Sequence, residues 1–192
     1  MNMQEIFAED KGSGTPLVLV HGFLGSSDMW VPQINFFKDS FRVIAPALPG
    51  FGNSSTINSC NSIECMAKAI LNLLEKKKIK NFNLLGHSMG GMIVQEMTKI
   101  AGEKILKLIC YSTGPRGNIP GRFETIDKSR EKLKVNGLKD TAYRIAKTWF
   151  IEKEKAKYFY LCEEAGKQTS LEATDNGLVA MKNWDGVKNL QN

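Results

Sequence analysis

Ser88 is the residue whose surroundings best fit a chemical role. It lies at the centre of the pentapeptide Gly-His-Ser-Met-Gly, residues 86–90. Residues 81–85 before it form a short apolar stretch typical of a buried strand, and residues 92–101 after it carry apolar side chains at helical spacing. A serine on a sharp turn from strand to helix exposes its hydroxyl at the positive end of the helix, where a negatively charged oxygen is stabilised. The pattern therefore predicts a nucleophile.

The glycines around this serine have a steric explanation. Gly86 and Gly90 stand two residues before and after it, and such a turn brings their backbones too close to neighbouring chain for side chains. Gly91 would allow the helix to pack tightly on the next strand. The motif alone is equally compatible with a tight turn whose serine caps a helix. Two further segments favour the catalytic interpretation.

Two glycine-containing loops precede the serine motif. The first, His-Gly-Phe-Leu-Gly at residues 21–25, follows the apolar residues 17–20. Its glycines leave backbone N–H groups accessible to a substrate oxygen. The second, at residues 46–54, follows residues 42–45 and has two prolines and two glycines, too many interruptions for a helix or a central strand. Three such motifs, each after a predicted strand, favour a catalytic site over unrelated turns.

With these three motifs the chain resembles the α/β-hydrolase family, from about residue 5 to its last residue. The resemblance implies that Ser88 is the nucleophile and that the backbone N–H groups of Phe23 and Met89 form the oxyanion hole. Small-ester hydrolases and lactonases look most similar. Members of the fold with an aspartate nucleophile do not, because this chain has a serine at that position. The resemblance implies a small-molecule ester or lactone as substrate and no cofactor.

Further positions in the same loops are expected to support the site: His21, Gly22, Gly86, His87 and Gly90. The neighbourhood of His21 suggests that it holds the oxyanion loop, and His87 should point away from Ser88. These are the only two histidines, so no metal-ligand cluster is predicted. The motifs do not specify a substrate. A carbon–carbon bond hydrolase or acyltransferase of the same fold, and a non-catalytic binding protein that keeps the fold, remain open as alternatives.

The predicted elements alternate between strand and helix in the first part of the chain. Strands are expected near residues 4–8, 17–20, 42–45, 82–86 and 105–111, and helices near 29–37, 62–77 and 90–101. This alternation indicates a mostly parallel sheet covered by helices on both faces. It is the arrangement that would position the three loops.

After the last predicted strand the pattern changes to a Gly/Pro-rich loop and four helical stretches, near 123–135, 138–150, 152–165 and 170–184. We interpret residues 1–114 as the N-terminal part of a hydrolase core, 115–185 as a helical lid, and 186–192 as the start of the return to the core. A lid would exclude water and shape the pocket. Candidates for its apolar underside are Trp149, Phe150, Tyr158, Phe159, Leu161 and Met181.

One departure from the family affects the mechanism. A serine needs a base, which itself needs an orienting carboxylate, and in this fold the order is serine, acid, histidine. No histidine follows Ser88, and neither His21 nor His87 is a credible base. Asp185 is interpreted as a loop or helix-end residue rather than the acid. We therefore expect the last core strands and a C-terminal segment with the acid and histidine to be missing, and this chain to be poorly active, with residues 105–111 as an exposed apolar edge.

Composition excludes several other functions. The net charge is +6, and the densest basic cluster lies at a predicted helix end, at Lys76, Lys77, Lys78 and Lys80. Lysines at such an end interact well with the helix dipole. No aromatic interleaving suggests nucleic-acid binding. No leader peptide or membrane span is predicted. The four cysteines lack C-x-x-C spacing, so reduced thiols in a cytoplasmic protein are expected.

Overall fold

A computed structural model describes residues 4–119, 121–122 and 124–191, and in that part of the chain five strands form one sheet. The strands are β1 (Ala8–Lys11), β2 (Pro16–Val20), β3 (Arg42–Pro46), β4 (Phe82–His87) and β5 (Ile105–Tyr111). Their order across the sheet is β1-β3-β2-β4-β5. Every neighbouring pair is parallel except β1 and β3. The predicted α/β-hydrolase-type sheet is confirmed.

Helices cover this sheet on both faces. They are α1 (Val31–Phe37), α2 (Ile63–Lys76), α3 (Met89–Ala101), α4 (Ile126–Lys147), α5 (Phe159–Lys167) and α6 (Leu171–Asn183). Side chains of β2 alternate between the faces because successive residues of a strand point in opposite directions. Leu17 and Leu19 pack with Ile34 of α1, whereas Val18 and Val20 belong to the larger apolar core shared with α2 and α3.

The first strand begins later than the sequence pattern predicts. The expected strand near 4–8 overlaps β1 only at its last residue. The register of β1 is set by its antiparallel pairing with β3, which brings Asp10 close to Arg42. The Nε and Nη2 atoms of Arg42 donate hydrogen bonds to the Asp10 carboxylate at 2.9 and 2.8 Å. Ile6 is buried outside the strand. The position of the strand is therefore set by its polar pairing with β3 and not by the apolar pattern near residues 4–8.

Strand β5 is at the edge of the sheet and pairs only with β4 among the described strands. It carries four large apolar side chains that are 40–60% exposed: Leu106, Leu108, Ile109 and Tyr111. Buried sheet strands usually carry such residues. The edge is therefore both unpaired in its backbone and apolar in its side chains.

The helical region after β5 differs in detail from the prediction. The sequence predicts one helix before residue 137 and another after it, and α4 spans both. Gly137 has a non-helical conformation (φ 76°, ψ −179°) between the two helical halves. Glycine adopts this positive φ without a steric penalty. Helix α5 begins at Phe159 rather than near 152, after a single 3₁₀ turn at Lys153–Lys155. Helix α6 agrees with the prediction to within one residue.

The chain enters and leaves this helical region at one place. The N–H of Gly117 donates to the Trp184 carbonyl (3.3 Å), and the N–H of Gly186 donates to the Pro115 carbonyl (2.8 Å). The Trp184 indole N–H donates to Glu96 of α3 (3.1 Å). These contacts attach both ends of the helical region to the core beside helix α3.

The prediction of four reduced cysteines is wrong for one pair, because Cys60 and Cys65 form a disulfide. Ser62 caps α2 between them by accepting from the Cys65 N–H, and this turn brings the two Cα atoms to 5.7 Å, within the range a disulfide spans. Cys110 is exposed and Cys162 is buried, both as free thiols. The thiol argument for a cytoplasmic location therefore no longer holds. None of the described helices is long and apolar enough to cross a membrane.

Candidate active site

Ser88 occupies the turn between β4 and α3 in a conformation that most residues avoid, with φ 55° and ψ −118°. A positive φ costs energy in a residue with a side chain and persists only where surrounding contacts enforce it. Here the Ser88 N–H donates to the Tyr111 carbonyl (3.0 Å), and the Ser88 carbonyl accepts from the Gly91 N–H (2.9 Å) and the Thr113 hydroxyl (2.8 Å). The backbone of the turn is thus held by the end of β5 and by the first turn of α3.

The glycines of the motif are required by close backbone contacts. A methyl group on Gly86 would overlap the Gly90 carbonyl, and one on Gly90 would overlap the carbonyl oxygens of Val20 and His21. Helix α3 therefore begins directly against the end of strand β2. The steric explanation derived from the motif applies to both positions.

The loop after β2 lies beside the serine. A methyl group on Gly22 would stand 3.1 Å from the Ser88 Cβ and 3.0 Å from the His87 carbonyl oxygen. The N–H groups of Phe23 and Met89 donate to no acceptor within the described ranges. Two main-chain donors in the neighbourhood of Ser88 therefore remain available to another oxygen.

His21 is fully buried and both of its ring nitrogens are engaged. Its Nε2 accepts from the Leu48 N–H (3.0 Å), so Nδ1 carries the proton and donates to the Gly22 carbonyl (2.8 Å). Burial lowers the pKa of His21 to about 4, although the bond to Gly22 acts in the opposite direction. The neutral imidazole links the loop after β2 to the loop after β3.

His87 faces a different cavity from Ser88. Its ring lies 5.4 Å from that of Tyr111, and both line an aromatic cavity of about 250 Å³. Burial lowers the pKa of His87. Four predicted lid residues share this cavity: Trp149, Phe150, Tyr158 and Leu161. Phe159 instead packs within the helical region against the rings of Tyr143 and Phe150.

Ser88 opens into a cavity of about 400 Å³, referred to below as the Ser88 cavity. Its lining residues are Ser88, Met92, Ser112, Thr113, Gly114, Arg116, Gly117, Ile119, Arg122 and Met181. Of the predicted lid residues, Met181 is the one that shares this cavity. The space is bounded by α3, by the loop after β5 and by the end of α6.

The chain matches the model of the α/β hydrolase fold over residues 15–159. The chain belongs to this family. Over 111 residues it is 36% identical to the dihydrolipoyllysine-residue acetyltransferase component of an acetoin cleaving system from Pseudomonas putida, a match that covers 57% of this chain and 30% of that protein. Over 118 residues it is 31% identical to a pimeloyl-[acyl-carrier protein] methyl ester esterase from Photobacterium profundum, covering 62% of this chain and 44% of that one.

Among solved structures, a thermophilic esterase from Thermogutta terrifontis, described with malate bound, superimposes with a TM-score of 0.83 at 25% identity. The match covers 96% of this chain and 70% of the esterase. The chain spans less than half the length of the two curated relatives named above.

One component of hydrolase chemistry is not supplied near the serine. Among the described residues, no histidine or carboxylate is hydrogen-bonded to the Ser88 hydroxyl. Both nitrogens of His21 are engaged elsewhere, and His87 lines the aromatic cavity. Asp185 is an exposed partner of Arg116 (3.0 Å). Nor does any group of three or more histidine, cysteine or acidic residues within the described ranges have the arrangement needed to hold a metal ion.

Sequence reasoning missed two residues of the site, Thr113 and Arg122. Thr113 follows β5, which pairs with β4. The carboxyl ends of adjacent parallel strands meet at one edge of a sheet, so the position of Thr113 next to Ser88 follows from this pairing, which the sequence analysis did not predict. Arg122 lies in the loop leading to α4, and no local pattern marks it. Its approach to the Ser88 cavity depends on how the helical region after β5 packs on the core.

Proposed function

We propose that Ser88 is the nucleophile of a hydrolase that cleaves small carboxylic esters or lactones. The Ser88 oxygen attacks the ester carbonyl carbon, the alcohol leaves, and water then releases the acid from the acyl-enzyme and regenerates the hydroxyl. The observation that carries this proposal is the enforced conformation of Ser88 at the start of α3, facing a cavity of about 400 Å³. A capping serine in an ordinary turn needs no positive φ.

The proposed oxyanion hole consists of the N–H groups of Phe23 and Met89. Two observations support this assignment. Neither N–H donates to another acceptor among the described residues, and Gly22, which precedes Phe23, lies close to the Ser88 Cβ. Removing a single such donor typically lowers turnover by roughly 100- to 1000-fold. The positive end of α3 adds to the same stabilisation.

The proposal includes a base from outside the described residues, because His21 and His87 are committed elsewhere. Loss of the histidine from a serine triad lowers turnover on the order of a million-fold, while the oxyanion hole retains part of the rate. We therefore expect this chain alone to hydrolyse esters slowly. Its reaction at Ser88 should accelerate with rising pH, as hydroxide replaces the missing base.

Covalent labelling tests this function without requiring turnover. A fluorophosphonate incubated with the chain at pH 9 should form one adduct, located on Ser88 by peptide mass spectrometry, and Ser88→Ala should abolish it. Ser112→Ala is the matched control, because Ser112 lines the same cavity and also has a positive φ of 49°. An adduct on another residue, or none after prolonged incubation at pH 9, would count against Ser88 as the nucleophile.

A further inference from the structure

The aromatic cavity beside His87 takes no part in the chemistry proposed for Ser88. It shares no lining residue with the Ser88 cavity. His87 and Tyr111, the last residues of β4 and β5, line the aromatic cavity, whereas the residues that follow them, Ser88 and Ser112, line the other one. The ends of these two strands therefore divide the two cavities.

The lining of the aromatic cavity is uncharged. None of the described residues that line it is an aspartate, glutamate, lysine or arginine. His87 is half-buried and its pKa is lowered by burial, so its ring is neutral at pH 7. An ion in this cavity would lose hydration without meeting an opposite charge. The lining favours an uncharged molecule, and a flat ring packs well against the rings present, which are those of Trp30, Tyr111, Trp149, Phe150 and Tyr158.

The volume of the aromatic cavity limits the size of this molecule. At about 250 Å³ it is smaller than the pockets of roughly 300–1,000 Å³ that take drug-sized ligands. An apolar cavity of about 150 Å³ is sufficient for benzene. The space therefore fits one aromatic ring with a small substituent.

Two polar groups of the lining have no hydrogen-bond partner. Trp30 is only 8% exposed, and its indole N–H meets no acceptor within the described ranges. A buried donor without an acceptor costs about 1–3 kcal/mol, and a ligand oxygen that accepts this bond removes the cost. The ring of His87 likewise makes no hydrogen bond to a described residue, and a neutral imidazole has one donor and one acceptor nitrogen. A hydroxyl group can accept from Trp30 and donate to His87.

We propose that the aromatic cavity is a binding site for a small uncharged phenol, separate from the Ser88 cavity. The phenol ring packs against Tyr111 and Trp149. Its oxygen accepts from the Trp30 indole N–H, and its hydroxyl hydrogen is donated to a ring nitrogen of His87. Phenols keep this hydrogen at pH 7, because they ionise near pH 10. The site is independent of the proposed function, since no bond of the ligand is broken there.

Nuclear magnetic resonance of the ¹⁵N-labelled chain tests the proposal at the hydrogen bond itself. The chain has three tryptophans, so its three indole N–H signals are assigned from single replacements by phenylalanine. Addition of para-cresol at pH 7 should move the Trp30 signal downfield in a saturable way. The Trp184 signal should stay in place, because that indole already donates to Glu96.

The matched ligand is para-xylene, in which a methyl group replaces the hydroxyl. It should not move the Trp30 signal downfield, because it has no oxygen to accept the bond. A Trp30 signal that does not respond to para-cresol, or that responds equally to both ligands, would overturn the proposal.

Calorimetry on variants measures the contribution of each polar group. In Trp30→Phe the affinity for para-cresol relative to para-xylene should fall roughly tenfold, because a hydrogen bond from a buried donor is lost. His87→Phe keeps a ring, removes both nitrogens and should also lower this ratio, so the test remains available if Trp30→Phe does not fold. Trp184→Phe is the matched control, because it removes an indole N–H outside the cavity and should leave the ratio unchanged. An unchanged ratio in both cavity variants would contradict the assignment.

Ser88→Ala separates this inference from the proposed function. The variant should bind para-cresol as tightly as wild type, because Ser88 lines the other cavity. Loss of binding in Ser88→Ala would place the ligand in the Ser88 cavity and overturn the separate site. Failure of the fluorophosphonate to label Ser88 would instead contradict the proposed function, whatever the binding result.

Discussion

The imidazole Nε2 of His21 accepts a hydrogen bond from the Leu48 N–H at 3.0 Å, so one buried side chain joins the glycine-containing loops that follow β2 and β3. This bond requires a neutral ring, because a protonated Nε2 would point its own hydrogen at another donor. The arrangement of the proposed oxyanion loop is therefore coupled to the protonation state of His21. As the pH falls, this loop should lose its arrangement at a higher pH than the sheet does.

The pH dependence of stability follows from the pKa of His21. In the folded chain it is lowered to about 4 from the ordinary 6.5, so below pH 6.5 the unfolded state binds a proton that the folded state does not. The contribution is complete above pH 6.5, is lost as the pH falls to about 4, and amounts to about 3 kcal/mol in total. Urea unfolding of wild type and His21→Gln from pH 8 to pH 4 measures it.

The difference between the two proteins is the informative quantity, because acidic residues titrate alike in both. The advantage of wild type over His21→Gln should shrink steadily between pH 6.5 and pH 4. His87→Gln is the control variant, since it removes the other histidine while keeping the hydrogen bond between His21 and Leu48. A wild-type advantage that is constant over this range would contradict the inferred neutral His21.

A second prediction follows from the close backbone contacts of Gly90. In Gly90→Ala the new methyl group meets the carbonyl oxygens of Val20 and His21, which belong to the chain at the end of β2 and cannot move without disturbing the sheet. We expect a loss of about 3 kcal/mol in the free energy of unfolding. Gly102→Ala is the control, because open space surrounds its Cβ position and its φ is −57°. That variant should stay within about 1 kcal/mol of wild type. Similar losses in both variants would show that Gly90 has no special packing role.

The features that the sequence predicts correctly are those set by local chain geometry. Ser88 and its glycines lie within five residues of each other, and the turn they form depends on contacts that such a turn always makes. The features that it missed depend on residues far apart in the chain. The Ser88 cavity joins residue 88 to Arg122 and Met181, and the position of β1 follows from its pairing with β3. The Cys60–Cys65 disulfide follows from the cap at Ser62, which spacing alone did not indicate.

Glu124 supports a third prediction, on the stability of the helical region after β5. Burial alone would raise the pKa of its carboxyl, but bonds from Lys132, Ser129 and Arg144 outweigh this and hold it at about 2. Because the folded pKa is depressed from 4.5, the stabilisation is present above pH 4.5 and is lost as the pH falls toward 2. Glu124→Gln should cost about 2 kcal/mol at pH 7, since it leaves the half-buried side chains of Lys132 and Arg144 without their anion.

The Glu124 prediction is checked by thermal unfolding at pH 7 and pH 3. The gap in stability between wild type and Glu124→Gln should be smaller at the lower pH. Glu131→Gln provides the control, because Glu131 is exposed on the same helix α4, and surface changes of this kind usually stay within about 0.5 kcal/mol. If Glu131→Gln destabilises as much as Glu124→Gln, the loss reflects charge on α4 in general rather than the buried cluster.

Strand β5 makes the fourth prediction, because its outer edge is unpaired among the described strands and its apolar residues are exposed. Such an edge pairs readily with another strand, so this chain should self-associate as its concentration rises. Ile109→Lys places a charge on a side chain that is 48% exposed in the middle of that edge. It should weaken association by roughly tenfold or more in sedimentation velocity, because an unpaired ammonium is costly to bury. Ile151→Lys, at a fully exposed residue outside the sheet, should leave association unchanged. Equal effects of the two lysines would assign the self-association to general surface hydrophobicity instead of the β5 edge.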